Sequence, residues 1–421
     1  MIIPAVKKTS STHKVEFVDG IKIIVEGANN ATIRKPLYIK AKEAQNVPPV
    51  VIPPIVVNEP QPQFTIVGSG SGALILKDIF NKNIKIKEGN YDYIDITNFK
   101  NTNVIGAGVN LLNGSGITAM NNVTIEGLSV KGSKYRAFNI NGIIKGFTLK
   151  NISLTDIGDV AINLSDATRY NGSEDSFSEN LQLLNFDCDN IGMFLGARGS
   201  IANGFVEGLV KKFKMNGCSI INSPQMGNGV YMGCVEDYEI SNNKLGNINS
   251  LVNNHHGIFH MVGNGKVFGN MLTNHQGNML RAWFCSLTKE GYLEVFDNIV
   301  HNSRRYGAFE IQTPPWMELA AAFKPGKTAK IYNNTVGKLN TEDPKYFEGR
   351  LLDLYTSHCQ VEVFNNLSFN NRDAEILNNM SDRSNTLLTR FENNAYVKDA
   401  AQAVNNLSEF KSLIPLVGAR V

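Results

Sequence analysis

A short pattern of alternating apolar residues around an asparagine returns along most of this 421-residue chain. The segment from Phe147 to Leu154 is one copy, and successive repeat asparagines lie 27 to 36 residues apart. The repeat asparagines are Asn151, Asn185, Asn216, Asn243, Asn270, Asn298, Asn334 and Asn366. A period in this range is typical of a solenoid. Because apolar and polar residues alternate within each copy, the repeating unit is predicted to be a strand.

The asparagines themselves have a structural explanation. The chain must bend sharply between two strands of one coil, and asparagine tolerates left-handed backbone and bonds to nearby backbone groups. Stacked coils should then align these side chains into a ladder. We therefore predict that the repeat asparagines have a structural role in the fold.

Composition excludes several classes of protein. Charged residues make up 19% of the chain and hydrophobic residues 42%, as in folded globular proteins. A balance of 41 basic and 38 acidic residues argues against a nucleic-acid binder, which would carry a basic stripe. No apolar run is long enough to insert into a membrane, and the first residues lack the basic-then-apolar layout of a signal peptide. Either a signal was removed or the protein leaves its cell by another route, so we expect an extracellular or virion-associated location.

The five cysteines do not follow the spacing of metal ligands. Cys188 and Cys218 fall at apolar positions of the repeat, which predicts buried free thiols rather than disulfides. No ligand set of the usual spacing supports a metal. We expect no cofactor, with a calcium ion the alternative left open.

Residue composition divides the chain into four parts. Residues 1–45 contain alternating runs and turn pairs that predict a small β module for attachment or an accessory role. Residues 46–63 form a Pro-rich linker, which should be a stiff spacer. Residues 64–397 carry the strand repeat, and residues 398–421 show helical spacing that predicts a C-terminal cap. Insertions near Trp316 and at 340–349 should lie on the binding face.

The segment from Ile84 to Gly108 resembles the opening turns of right-handed parallel β-helix proteins of the pectate-lyase-like group. The resemblance covers about 64–397. It implies an all-β fold, a right-handed parallel β-helix solenoid with a small N-terminal module and a helical cap. That fold serves lyases, hydrolases, epimerases, esterases, adhesins and phage tailspikes, so it does not single out one activity. Signatures of polygalacturonases, classical pectate lyases and the alginate and chondroitin lyases of this fold are not found.

A second strand recurs in each coil and predicts where chemistry lies. Its third residue forms an apolar column of Ile162, Tyr231, Phe259, Leu280, Phe309 and Leu352. Because strand side chains alternate faces, the next residues should point outward: Asn163, Met232, His260, Arg281, Glu310 and Asp353. Coils stack about 4.8 Å apart. We therefore predict that His260, Arg281, Glu310 and Asp353 form a catalytic cluster on one exposed sheet.

Other residues are predicted to bind substrate beside this cluster. Two positions along the same face lie Trp283, Gln312 and Tyr355, and the Trp316 loop could wall the site. Tyr231 is included among these residues. Arg305 could hold an acidic sugar or phosphate, or could lie in a solvated turn.

Two mechanisms fit the cluster. In a lyase, Arg281 neutralises a uronate carboxylate while His260 or another base removes the C5 proton. In a glycoside hydrolase, Glu310 and Asp353 act as acid and base. A surface ladder of ion pairs with no function is the competing interpretation.

The leading hypothesis is a tailspike-like β-helix that binds and cleaves a polysaccharide. In this layout the N-terminal module attaches to a phage particle and three helices associate as a homotrimer. The alternatives are a secreted bacterial polysaccharide lyase or glycoside hydrolase, and a non-enzymatic adhesin or virion structural protein.

Overall fold

The computed structural model describes residues 13–18, 22–27, 63–165, 168–202, 205–249, 256–313, 323–342, 349–355, 359–369, 371, 376–379, 387–397 and 418–419. The chain divides into two units, Met1–Gln61 and Pro62–Val421. In the first unit, strands β1 (His13–Val18) and β2 (Lys22–Gly27) pair antiparallel as a hairpin. The predicted linker and the predicted helical cap fall almost wholly outside the described residues.

The second unit is a right-handed parallel β-helix, the hand that crossovers between parallel strands adopt. Its first half contains β3 (Thr65–Val67), β4 (Ser71–Phe80), β5 (Asn83–Ile86), β6 (Gly89–Leu111), β7 (Ser115–Lys131), β8 (Phe138–Asn141), β9 (Lys145–Ser165), β10 (Arg169–Tyr170), β11 (Ser178–Ala197), β12 (Ser200–Ala202), β13 (Phe205–Glu207), β14 (Val210–Lys211), β15 (Lys214–Asn216) and β16 (Ser219–Ser223). Its second half contains β17 (Val230–Ser241), β18 (Lys244–Ile248), β19 (Gly257–Phe268), β20 (Met271–His275), β21 (Asn278–Ser286), β22 (Tyr292–Phe296), β23 (Ile299–Ser303), β24 (Phe309–Gln312), β25 (Lys324–Pro325), β26 (Thr328–Tyr332), β27 (Thr335–Gly337), β28 (Leu352–Tyr355), β29 (Gln360–Phe364), β30 (Leu367–Phe369), β31 (Leu377–Asn379), β32 (Leu387–Glu392) and β33 (Ala395–Val397).

In the described part of the second unit, antiparallel pairing is confined to short additions. Strands β10, β12 and β13 form a small side sheet, and β25 pairs with the end of β21. Among the described residues the only helix is one 3-10 turn, Glu174–Ser176. The all-β prediction is confirmed.

Each coil passes through three sheets in turn. Strand β19 crosses the first sheet and bends into the second, and β20 lies in the third before β21 returns to the first. The inward residues Phe259, Val267 and Leu272 of this coil are fully buried. Period-2 alternation thus delivers every second side chain to one core that runs along the unit.

A ladder of asparagine side chains follows the corner between the second and third sheets. Its members are Asn243, Asn270, Asn298, Asn334, Asn366 and Asn394, each Nδ2 donating to the next Oδ1 at 2.9–3.0 Å. The same oxygens accept backbone N–H groups, as Asn298 Oδ1 does from Asn270 N at 3.1 Å. Because these groups are buried, the ladder satisfies backbone that water cannot reach.

The predicted ladder mixes three neighbouring columns, since Asn216 lies opposite Leu184 and Ser241, one position before the left-handed residue of its coil. Asn151 and Asn185 do adopt the left-handed conformation, with φ of 55° and 54°. In the later coils the left-handed residue precedes the ladder asparagine, as Asp297 (φ 53°) precedes Asn298. The prediction of a stacked ladder is right, but Asn151 and Asn185 are off by one position and Asn216 is off by two.

The outer surface of the second sheet carries charges of alternating sign. The column consists of Lys214, Glu239, Lys266, Glu294, Lys330, Glu362 and Arg390. Beside it the rings of Phe268, Phe296, Tyr332 and Phe364 stack at centroid distances of 4.8–5.0 Å. The charges neutralise one another and the ring faces cover one another. The second sheet therefore carries a ladder of surface ion pairs. It is the kind of ladder that the competing interpretation assigns to the cluster of His260, Arg281, Glu310 and Asp353 on the first sheet.

All five cysteines are buried free thiols, as predicted. No helix in the part of the chain that the structure describes has the length and hydropathy needed to cross a membrane.

Candidate functional site

One outward column, here called the outer ladder, runs along the first sheet. Its rungs are Asp95, Gly116, Asn139, Asn163, Gly196, Tyr231, His260, Arg281, Glu310, Asp353 and Asn378. The inward neighbours Phe259, Leu280 and Phe309 are fully buried. The predicted adjacency of His260, Arg281, Glu310 and Asp353 on consecutive coils is therefore confirmed.

The predicted column is wrong at one coil. Met232 pairs with Met261 and is fully buried in the core, whereas Tyr231 pairs with His260 on the outside. The predicted apolar column places Tyr231 beside Phe259, but in the structure Val230 is opposite Phe259. Tyrosine and methionine both suit an apolar position, so alternation alone could not settle the register.

Arg281 and Glu310 form an ion pair across adjacent coils. Arg281 Nε donates to Glu310 Oε1 at 2.9 Å. The arginine side chain is 22% exposed and the glutamate 1%. This hydrogen bond fixes the guanidinium on the ladder, because charge-assisted bonds are the stronger ones.

The two carboxylates do not face solvent, contrary to the prediction. Glu310 and Asp353 are each 1% exposed. A side chain that points away from the core becomes buried when other chain lies over the sheet, which the strand pattern does not encode. Gly307 leaves room for Asp353, since a Cβ at that glycine would lie 2.7 Å from Asp353 Oδ2.

The His260 ring packs between two aromatic rings. It meets Tyr231 at 5.1 Å with an interplanar angle of 88°, and Trp283 at 5.3 Å with 71°. Both are edge-to-face contacts, the favoured geometry for such pairs. Burial raises the pKa of the Tyr231 phenol, with a smaller contribution from the charge of Cys234. Tyr231 therefore holds its proton at least as firmly as an ordinary tyrosine.

The residues predicted to bind substrate are only partly gathered. Trp283, Gln312 and Tyr355 occupy consecutive rungs two positions beyond the cluster, and all are half-buried. Arg305 lies off the ladder, in the turn before β24, where its carbonyl accepts Gly277 N at 3.3 Å. Trp316 lies outside the described residues.

The cluster supplies an imidazole, a guanidinium and a phenol on half-buried side chains, and His260 Nε2 itself is buried. Within the described segments, no group of three or more histidine, cysteine or carboxylate side chains could hold a metal ion. The front of the ladder, at Asp95 and Asn139, was missed by the sequence argument. The buried Phe138 and Ile140 on either side of Asn139 are the alternation signal that could have extended the column.

No family model and no curated protein matches the sequence. Among solved structures the chain is similar to a PL6 alginate lyase in complex with a trisaccharide, at 12% identity and a TM-score of 0.37, over 80% of this chain and 82% of that one. It is also similar to the catalytic domain of a GH87 alpha-1,3-glucanase, at 12% identity and a TM-score of 0.35, over 75% of this chain and 54% of that one. A third similar structure is the A-module of an Azotobacter vinelandii mannuronan C-5 epimerase, at 9% identity and a TM-score of 0.32, over 75% of this chain and 90% of that one. These likenesses concern the fold.

Proposed function

We propose that this protein binds an acidic polysaccharide along the outer ladder and cleaves it by β-elimination. The observation that carries the proposal is the arrangement of His260 and Arg281 on adjacent rungs, with Glu310 holding the arginine at 2.9 Å. The side chains of His260 and Arg281 are half-buried, unlike the fully buried carboxylates that follow them on the ladder, and His260 Nε2 itself is buried. A substrate lying on the ladder therefore meets an imidazole and a cation side by side.

The chemistry assigns one role to each accessible group. Arg281 binds the carboxylate of a uronate unit, for which a planar guanidinium is suited, and lowers the cost of the charge that develops when C5 loses its proton. His260 accepts that proton. The electrons of the C5–H bond form the C4=C5 double bond, and the C4–O4 bond breaks. Tyr231, which retains its proton because its pKa is raised, protonates the departing oxygen.

Glu310 is a positioning residue in this proposal. Its carboxylate is 1% exposed, so it orients Arg281 rather than touching a sugar ring. The same burial counts against the glycoside hydrolase, which needs Glu310 and Asp353 on either side of the scissile bond.

A binding protein without catalysis is the second candidate. It is favoured by the ion pair itself, because Glu310 already neutralises Arg281 and the cluster could serve to recognise a sugar only.

A panel of acidic and neutral polysaccharides separates these functions. β-Elimination produces the absorbance of unsaturated uronates from acidic polymers alone. We expect His260→Ala and Arg281→Ala to lower that rate at least ~100-fold. The matched control is Lys266→Ala, which removes one member of an ion pair on the second sheet. Reducing ends without the absorbance would replace the lyase with a hydrolase, and binding without either product would leave an adhesin.

The proposal places the protein outside the cell or on a virion. Its support is the separate N-terminal unit with a β-hairpin, suited to attachment, ahead of a long β-helix. Light scattering of the full chain tests this part. A trimer supports the tailspike-like assembly, and a monomer supports a secreted lyase.

A further inference from the structure

A hollow of about 540 Å³ opens on the outer ladder, well before the catalytic cluster. Its lining includes Tyr93, Asp95, Gly116, Tyr135, Arg136 and Asn139. Four rung steps separate Asn139 from His260, or about 19 Å at the usual spacing of ~4.8 Å between strands. The volume falls within the range of small-molecule sites.

The floor of the hollow is a rung without a side chain. A Cβ at Gly116 would lie 2.4 Å from Asp95 Oδ1, and Gly116 N donates to that oxygen at 3.2 Å. The other glycine of the ladder, Gly196, differs. A Cβ there would lie 3.3 Å from the Val160 side chain, so apolar atoms rather than a carboxylate oxygen lie beside that glycine.

The wall of the hollow carries a cation held by neutral partners. Arg136 Nη1 donates to Asn139 Oδ1 at 2.9 Å, and Asn163 Nδ2 donates to the same oxygen at 2.7 Å. Among the residues that the structure describes, no carboxylate lies within ion-pair distance of Arg136. Lys134 adds a second positive charge to the lining, against the single carboxylate of Asp95. The hollow is therefore net positive, with the arginine side chain already oriented.

Exposed aromatic rings accompany this cation. Tyr135 is 63% exposed and Tyr93 38% exposed. A tyrosine ring presents an apolar face and a polar tip, which suits the apolar face and hydroxyl groups of a sugar ring. Arginine next to exposed tyrosine thus fits a sugar that also carries a carboxylate or sulfate group.

We propose that this hollow is a second saccharide-binding site, specific for an anionic sugar unit and separate from the catalytic cluster. That this site binds the same polymer that the protein cleaves rests on the proposed function. Binding of a short anionic saccharide at this site does not rest on it. A polymer that occupies both sites gains affinity without new chemistry, because the second contact becomes intramolecular.

Calorimetry on the full chain tests the site with three probes: short oligogalacturonates, short sulfated heparin oligosaccharides and neutral dextran oligosaccharides. We expect an anionic probe to bind and the neutral one not to bind. Arg136→Gln and Tyr135→Ala should each weaken binding at least fivefold. The control is Lys131→Ala, an exposed cation on β7 outside the hollow. Equal binding of dextran, no anionic binding, or affinity unchanged in both variants overturns the site.

The same variants separate this inference from the proposed function. In an Arg281→Ala background, binding of the short anionic probe should persist and remain sensitive to Arg136→Gln. With a cleavable polymer, Arg136→Gln should raise KM for long chains and leave kcat unchanged. Binding that depends on Arg136 in a protein that cleaves no polymer would remove the lyase and keep this site. Cleavage of the polymer without any binding that depends on Arg136 would remove this site and keep the lyase.

Discussion

Arg281 and Glu310 pair across two coils at 2.9 Å with very different access to water, since the arginine side chain is 22% exposed and the glutamate 1%. The pair formed by Lys266 and Glu294 on the second sheet has nearly the same length, 3.1 Å, but its side chains are 41% and 27% exposed. A buried carboxylate depends on its cation, whereas an exposed one exchanges it for water. The two pairs therefore form a matched comparison within one fold.

Arg281→Ala should destabilise the protein far more than Lys266→Ala. Removing one partner of a buried pair costs about 3–5 kcal/mol, and we expect the lower end because Arg281 is partly exposed. Loss of the exposed pair should cost less than about 1 kcal/mol. Urea unfolding of both variants measures the difference. If Arg281→Ala proves as mild as Lys266→Ala, Glu310 does not depend on this arginine.

Activity assays should include Arg281→Lys, because a destabilised variant can lose activity by unfolding. Lysine keeps the charge beside Glu310 but not the planar fork that binds a carboxylate. We expect a folded protein with a raised KM for acidic polymers. An unchanged KM would show that Arg281 does not bind the uronate.

The asparagine ladder should be most sensitive at its centre. Asn298 Nδ2 donates to Val267 O at 2.9 Å, and Asn298 Oδ1 accepts Asn270 N at 3.1 Å. Asn298→Ala would leave both buried groups without a partner, at a cost of at least about 3 kcal/mol. Asn185→Ala, at an exposed left-handed position, should cost about 1–2 kcal/mol. Equal denaturant midpoints for the two variants would contradict a structural role for the buried ladder.

The coil architecture could be predicted because strand alternation and a fixed repeat are local properties of the sequence. Phe259, Leu280, Phe309 and Leu352 fall in one register, as their apolar character indicates. The predicted register was wrong at Tyr231, because Tyr231 and its neighbour Met232 suit the interior equally well. The failure matters because it assigned Tyr231 to the apolar interior column, whereas its ring lies beside His260 on the outer ladder.

Solvent access could not be predicted in the same way. Glu310 and Asp353 lie on outward positions of their strands, yet each is 1% exposed. Alternation reports on which face of the sheet a side chain lies, not what covers that face. The hollow beside Gly116 was missed for a similar reason, since residues of several successive coils line it.

Two histidines, the buried His275 and the half-buried His301, should make the fold sensitive to acid. Burial lowers the pKa of His275 to about 3 and that of His301 to about 4. Both pKa values lie below that of a histidine in the unfolded chain, about 6.5. Between the folded and unfolded pKa values, the unfolded chain therefore binds more protons than the folded protein. The free energy of unfolding therefore has its full value, as far as these histidines are concerned, above about pH 6.5, and it falls as the pH drops toward 3. For fully buried His275 the loss is on the order of 4 kcal/mol at pH 3.

The His275 contribution can be isolated by substitution. His275→Gln removes this titration, so its urea midpoint should fall less between pH 7 and pH 4 than that of the parent protein. Parallel loss of stability in both proteins would show that His275 is not the group responsible.

Tyr231→Phe tests the proton donor of the proposed elimination. The substitution removes only the hydroxyl and keeps the ring that packs against His260 at 5.1 Å, so the fold and polymer binding should be retained. We expect kcat to fall about 100-fold with little change in KM, the loss typical of a missing general acid. Because the pKa of Tyr231 is raised, the parent protein should keep this step to a higher pH than an ordinary tyrosine allows.

The control is Tyr355→Phe, a half-buried tyrosine of the same sheet that lies two positions beyond Asp353. Its hydroxyl has no part in the proton transfer, so kcat should stay within about twofold of the parent value while KM reports any contact with the polymer. Equal kcat for Tyr231→Phe and the parent protein would assign the proton to water and leave Tyr231 with a packing role beside His260. Loss of kcat in both variants would place the reacting sugar further along the sheet than the rungs of His260 and Arg281.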